Sequence, residues 1–371
     1  MIKVCHMTSA HGAEDVRIFH KECVSLAGAG YEVYLVERGE SYEKNGVHIV
    51  GVGEIPASRR KRMTQGAKKV YEAALAIDAD IYHFHDPELL PYGLKLKRKG
   101  KKVIFDSHEK YTEQIKRKPY LPGWCTRLIA VCYGVYEKYV LKRIDGLIFP
   151  CLKDGKHPFE GMCARVTTVN NVPRQEELYD HYDASASKYE RSIVYIGSLT
   201  YLRGITHMVK AAGKSGCTAY LGGVFSPESY GMELETLPEF SHVRHLGFLG
   251  REEVLETLQQ CQIGMATLLN VGQYNQYDNL ATKVYEYMSL GLPVILSHSS
   301  YNDRMMKKYR FGICVDPENV DEIAAAIRYL LDDPEEARQM GENGRRAVKE
   351  EFNWGVEEKK LLALYEDILK E

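Results

Sequence analysis

No Cys-x-x-Cys pair occurs among the nine cysteines. That argues against a zinc ribbon or a disulfide framework and for a reducing interior. Long apolar runs are also missing: the longest, Leu128 to Tyr136, is about half of the ~20 residues that a spanning helix needs. The opening Met1-Ile2-Lys3-Val4-Cys5-His6 has no secretory-leader pattern and reads as a strand. Repeats and low-complexity segments are absent, and net charge is scarce, at −2 over 371 residues. With 10% aromatic content, that excludes a self-repelling disordered chain. A 44% hydrophobic chain of this length can build two cores. These features predict a cytoplasmic two-domain protein.

The small net charge hides an asymmetry. Residues 1–170 carry 28 Lys and Arg against 20 Asp and Glu, whereas the remainder carries 21 against 31. Two basic runs stand in the first half: Arg59-Arg60-Lys61-Arg62 with Lys68 and Lys69, and Lys95, Lys97, Arg98, Lys99, Lys101 and Lys102. Solvated surface is the plain reading; peripheral contact with an anionic membrane is the sharper one. No recognised nucleic-acid motif accompanies the charge.

Short apolar runs alternate with helical patterns. The first half offers strands at Ile2–Met7, Tyr31–Val36, Val47–Val50, Ile81–Phe84, Val103–Phe105 and Gly146–Phe149. The rhythm pauses after Asn170-Asn171-Val172-Pro173 and restarts at Ile193–Ile196. It continues at Tyr220-Leu221, His245-Leu246, Ile263–Ala266, Pro293–Leu296 and Ile313–Val315. This predicts an α/β fold with two Rossmann-like doubly wound domains facing across a cleft. The expected division is 1–172, a linker 173–191, 192–352, and a C-terminal helix 353–371 that returns to the first domain. The apolar spacing Leu128, Val131, Val135, Tyr139 and Val140 within Arg127–Arg143 is read as a core helix, with a membrane-surface helix as the alternative.

Two segments of the second half suggest an anion site. Lys283-Val-Tyr-Glu286-Tyr-Met-Ser-Leu-Gly291-Leu-Pro293 reads as a helix, a glycine stop and a buried strand. A lysine in the first helical turn opposes the dipole unless an anion docks there. In Ile193-Val-Tyr-Ile-Gly197-Ser198-Leu-Thr-Tyr-Leu-Arg203-Gly204, glycine permits close backbone approach and Arg203 offers a forked phosphate contact. Alone, each is also compatible with ordinary surface pairing. No Gly-x-Gly-x-x-Gly follows a strand, which disfavours a dinucleotide-dependent dehydrogenase. Asp78-Ala-Asp80 is read as turn chemistry. His83 and His85 alternate on one strand and share a face, so metal ligation with Asp86 and a buried hydrogen-bonded pair are both open, the second being favoured.

These segments resemble the nucleotide-sugar motif of retaining family 4 glycosyltransferases, which have the GT-B fold. The loop Thr8–Arg17 is similar to the family's glycine loop, His83-Phe-His85-Asp-Pro87 to its histidine strand, and Phe105-Asp-Ser-His108-Glu109 to the segment with its functional histidine. Phe352-Asn-Trp354 also fits. The resemblance implies transfer of a sugar from a nucleoside-diphosphate sugar, a UDP-sugar, to a glycan or lipid-linked acceptor in bacterial surface-polysaccharide assembly. It implies no metal and no cofactor, the donor being a co-substrate. Donor binding then falls to Gly12, Gly197, Ser198, Arg203, Asn279, Lys283 and Glu286, with Glu286 on the ribose. His108 and Asp278 are the catalytic candidates, and Asp15, Arg17, His83 and His85 the acceptor-side ones. Asp278 stands where the family has the first glutamate of its Glu-x7-Glu motif, and Ser198 where it often has a base. The alternatives are a UDP-N-acetylglucosamine 2-epimerase-like enzyme, which needs no acceptor, and a non-catalytic nucleotide-sugar-binding partner.

Overall fold

The computed structural model describes residues 1–55, 58–116, 123–270 and 275–370. The chain divides into two compact units. One comprises 1–152, 156–171 and 357–371; the other comprises 153–155 and 172–356.

The first unit is built on eight strands: β1 (Lys3–Met7), β2 (Glu32–Glu37), β3 (Tyr42–Lys44), β4 (Val47–Gly51), β5 (Ile81–Phe84), β6 (Lys102–Asp106), β7 (Gly146–Phe149) and β8 (Val166–Thr168). Their spatial order is β3-β4-β2-β1-β5-β6-β7-β8. Every pairing is parallel except that of β3 with β4. The strands β1, β5, β6 and β7 are almost wholly buried, as a parallel sheet covered on both faces requires. β3 and β8 lie outside the strands read from the sequence. β3 is a short edge strand turned by Asn45-Gly46, both in the left-handed region (φ 52° and 75°), an Asn-Gly hairpin signal.

The second unit has six parallel strands: β9 (Ser192–Ile196), β10 (Thr218–Gly222), β11 (Val243–Gly247), β12 (Ile263–Ala266), β13 (Val294–Ser297) and β14 (Gly312–Val315). Their order is β11-β10-β9-β12-β13-β14. Numbered from its own first strand, that is 3-2-1-4-5-6, the dinucleotide-fold order, which places a ligand beyond the carboxyl ends of β9 and β12 where the order reverses. Helices fill both faces. The helices Ile205–Ser215 and Val320–Asp332 bury Met208, Val209, Ile323 and Ile327 on one, and Thr282–Ser289 buries Val284, Tyr285 and Met288 on the other.

The helix Gly123–Leu141 corrects a sequence expectation. Only Val140 of the five apolar positions is buried; Leu128, Val131, Val135 and Tyr139 are 58%, 62%, 68% and 44% exposed. The inward face is made instead by Ala130, Glu137, Val140 and Leu141. Period alone marks an apolar stripe but not the side that the sheet covers.

Candidate functional site

In the second unit the sequence motifs converge beyond β9. Gly197 (φ 143°) follows the strand, and Lys283, in the first turn of Thr282–Ser289, reaches back to it. A Cβ at position 197 would sit 3.4 Å from the Lys283 Nζ. That ammonium lies 4.4 Å from the centre of the Tyr195 ring, a cation–π contact. Burial, then the neighbouring Arg203, pushes the lysine down to about 8, with Glu286 acting in the other direction. Arg203 thus adds a second cation within electrostatic reach of Lys283, an arrangement suited to an anion.

Backbone packing holds this loop in place. A Cβ at Gly204 (φ 77°) would meet the Thr267 carbonyl oxygen at 2.0 Å, and one at Gly223 (φ 129°) would meet that of Gly197 at 1.9 Å. Neither position admits a side chain without movement. The Gly197 N–H donates to the Gly222 carbonyl, and that of Leu269 to Leu202. The loops after β9, β10 and β12 are therefore mutually fixed.

Glu286 follows Lys283 by one turn and pairs with Arg251 at 3.0 Å. Arg251 opens the helix Arg251–Gln260 and was not singled out from the sequence, since nothing near it in the chain marks it. Ser198 is exposed, its carbonyl accepting from the Tyr195 hydroxyl at 3.3 Å. Asp278 accepts from the Gly155 N–H at 2.6 Å and pairs with Arg304 at 3.1 Å. Asn279 accepts from the Tyr285 hydroxyl at 2.9 Å.

In the first unit a pocket of about 230 Å³ is lined by Asp15, Val16, Arg17, His108, Pro150 and Asn171. Asp15 caps the helical segment that starts at Val16, accepting from the Arg17 and Ile18 N–H groups at 2.9 and 3.0 Å. Gly12 has open space at its Cβ position. The Thr8–His11 turn is organised by Asp86, which accepts from the Thr8 hydroxyl at 2.8 Å and the Ser9 N–H at 2.7 Å.

The buried Arg17 gives a forked pair of bonds to Asp106, at 2.8 and 3.0 Å, and a third to the Val169 carbonyl at 2.8 Å. Burial alone would raise the Asp106 carboxyl, but Arg17, with His108, holds it well below the usual range. His108, one-fifth exposed, places Nε2 3.2 Å from that carboxylate. Its ring is thus oriented by a buried carboxylate. His83 and His85 have no exposed surface. Their burial matches the favoured reading of a buried hydrogen-bonded pair. They stack at 4.7 Å within a larger buried group that includes His6, Glu22 and Tyr365.

The two Rossmann-like sheets match the fold of GT-B glycosyltransferase structures. Residues 181–347, most of the second unit, match the family model "Glycosyl transferases group 1". Among solved structures, sucrose-phosphate synthase from Thermosynechococcus elongatus is 18% identical, with a TM-score of 0.76 over 100% of both chains. Anabaena Alr3699/HepE, solved in complex with UDP, is 13% identical, with a TM-score of 0.69 over 99% of both. The MMP alpha-(1->4)-mannosyltransferase of Mycolicibacterium hassiacum is 33% identical over 93 residues, which is 24% of this chain and 22% of that protein. The chain spans about a fifth to a half of the length of the curated relatives it matches. Among the described residues, no helix is long and apolar enough to cross a membrane.

Proposed function

We propose that the protein is a retaining glycosyltransferase that moves a sugar from a UDP-sugar to a glycan or lipid-linked acceptor, in bacterial surface-polysaccharide assembly. One observation carries this reading: Lys283, buried at the glycine loop beyond β9 within the electrostatic reach of Arg203, with Glu286 one turn on. The two cations and the start of the helix Thr282–Ser289 neutralise the leaving diphosphate, without a catalytic metal. Glu286, an acceptor-only carboxylate tethered by Arg251, takes the ribose hydroxyls. The first unit presents the acceptor at the pocket lined by His108. There the imidazole, anchored on Asp106, stabilises charge that develops on the reacting groups.

The reading includes peripheral attachment to the cytoplasmic membrane face. The exposed side of Gly123–Leu141 joins Leu128, Val131 and Val135 to Arg127 and Lys138, and carries no acid. Glu137, the acidic residue of that helix, is buried. Lys95, Arg98 and Lys99 of the second basic run are exposed as well. An apolar stripe with cations suits an anionic lipid surface.

The test is calorimetric binding of UDP, other nucleoside diphosphates and uridine, followed by incubation of UDP-sugars with and without lipid-linked acceptors. UDP bound more tightly than uridine, and product formed only with acceptor, support the proposal. Turnover of donor alone to an epimer would replace it with the epimerase reading. Binding without turnover across the donors would leave a nucleotide-sugar-binding protein.

A further inference from the structure

The register of β1 on β5 sets His6 directly beside His83. His85 lies two residues on, on the same face, and Glu22 comes over that face from the helical segment Val16–Cys23. One ligating atom from each of these four residues lies within 4.8 Å of the other three, and all four residues are fully buried. His6 Nδ1 is 3.0 Å from His85 Nε2, and a Glu22 oxygen is 3.9 Å from His83 Nε2 and 4.0 Å from His85 Nε2. Tetrahedral coordination with bonds of about 2.0–2.1 Å places ligand atoms about 3.4 Å apart. The four atoms straddle that spacing.

Two features distinguish this group from an ordinary buried hydrogen-bond network. His83 Nε2 and both Glu22 oxygens have no hydrogen-bond partner, a costly state for buried polar atoms. The nearest cation, the Arg17 guanidinium, has its Nε 3.1 Å from one Glu22 oxygen but directs its N–H to Asp106. The outward nitrogens, in contrast, are all held. His83 Nδ1 meets the Tyr365 hydroxyl at 2.7 Å, His6 Nε2 meets it at 3.3 Å, and His85 Nδ1 lies 3.3 Å from Asp106. Ligating histidines are oriented in this way, with the far ring nitrogen fixed by a carboxylate or hydroxyl.

We infer that His6, Glu22, His83 and His85 bind one divalent zinc ion, tetrahedrally and with no position open to substrate. Three imidazoles and a carboxylate are a donor set that zinc favours, and a closed set of four marks a structural ion. Asp86 takes no part, being engaged at the Thr8–His11 turn. The ion would fasten β1, β5 and the segment Val16–Cys23 to the last helix through Tyr365. This inference does not rest on the proposed transfer reaction.

The test is metal analysis of the full chain, purified without chelator, together with refolding in zinc or in EDTA. About one zinc per chain is expected, with a melting temperature at least roughly 5 °C higher after refolding in zinc. Glu22→Gln and His83→Ala should lose the metal. His298→Ala should keep it, which separates the site from the exposed group His298, Asp303 and Cys314. His108→Ala should also keep it, which separates it from His85, Asp106 and His108. If the first two variants do not fold, refolding wild type with Co²⁺ replaces them, and a tetrahedral visible spectrum supports the site. Metal-free wild type with equal melting in zinc and EDTA overturns the inference. So does metal kept in Glu22→Gln, metal lost in His108→Ala or His298→Ala, or an octahedral cobalt spectrum.

Discussion

UDP affinity should fall as pH rises from 7 to 9, and Lys283 should be the reason. Burial, and then Arg203, hold its ammonium down to about 8 in the free protein. A bound diphosphate replaces lost hydration with negative charge and returns the group toward its ordinary value of about 10.4. The bound form therefore keeps a proton that the free form releases above pH 8. At pH 9 about nine in ten free molecules have lost it, so affinity should be about tenfold weaker than at pH 7. Folding shows the opposite sign. Because the folded pKa lies below the unfolded one, the unfolded chain holds more protons between about pH 8 and 10, and Lys283 makes stability rise with pH across that window.

The assay is titration calorimetry with UDP at half-unit steps of pH, on wild type and Lys283→Met. The variant should bind about 10–100-fold more weakly at pH 7, the loss of a charge-assisted contact worth roughly 1.5–3 kcal/mol. It should also lose most of the slope. Whatever slope persists in the variant belongs to the uracil N–H, which also titrates at alkaline pH. A flat wild-type profile, or a variant as steep as wild type, would refute the placement of Lys283 against the diphosphate.

Arg203→Ala should weaken UDP much more than uridine by calorimetry; equal losses would assign the side chain a purely structural role. Glu286→Gln should keep its melting temperature and lose donor affinity, since an amide suits two ribose hydroxyls less well than a carboxylate. His108→Ala should melt normally, bind UDP normally and transfer sugar about 100-fold more slowly, whereas clear destabilisation with transfer intact would make it a core residue. Glu137, pushed up to about 7 chiefly by burial, holds a proton in the fold that the unfolded chain releases above about pH 4.3. Its contribution to stability is therefore lost as pH rises to 7, and Glu137→Gln, which can still accept from Tyr133, should gain about 2 kcal/mol at pH 8 and little at pH 4 in denaturant titrations. Val131→Asp with Val135→Asp should leave stability unchanged, because both side chains are more than three-fifths exposed, while reducing flotation with anionic vesicles.

The alternation of apolar runs and helices was enough to read two parallel sheets, because a strand covered on both faces leaves a short, unbroken hydrophobic run. The edge strands Tyr42–Lys44 and Val166–Thr168 escaped that reading because exposure leaves no such mark. Segments whose chemistry sits within a few residues, such as Lys283 with Glu286, could be found in the chain itself. The Arg251 contact could not, because the fold brings it to Glu286 from 35 residues away. The sequence offered two sides for Leu128, Val131 and Val135, and only the packing of the neighbouring elements chose between them.

The first unit shows how the same limit operates on polar residues. His83 and His85 were visible as a pair on one face, and a pair by itself favours a buried hydrogen-bonded arrangement over ligation. Their environment is decided by His6, which is brought alongside by strand register, and by Glu22, Asp106 and Tyr365, which come from three other elements. Arg17 and Asp106 compensate each other in a forked pair. Glu22, with one oxygen 3.1 Å from the Arg17 Nε, is left without a hydrogen bond. A buried carboxylate is costly unless it is hydrogen-bonded as well as paired. The Glu22 oxygens and His83 Nε2 lack hydrogen-bond partners together, and one metal ion between them would satisfy both residues at once.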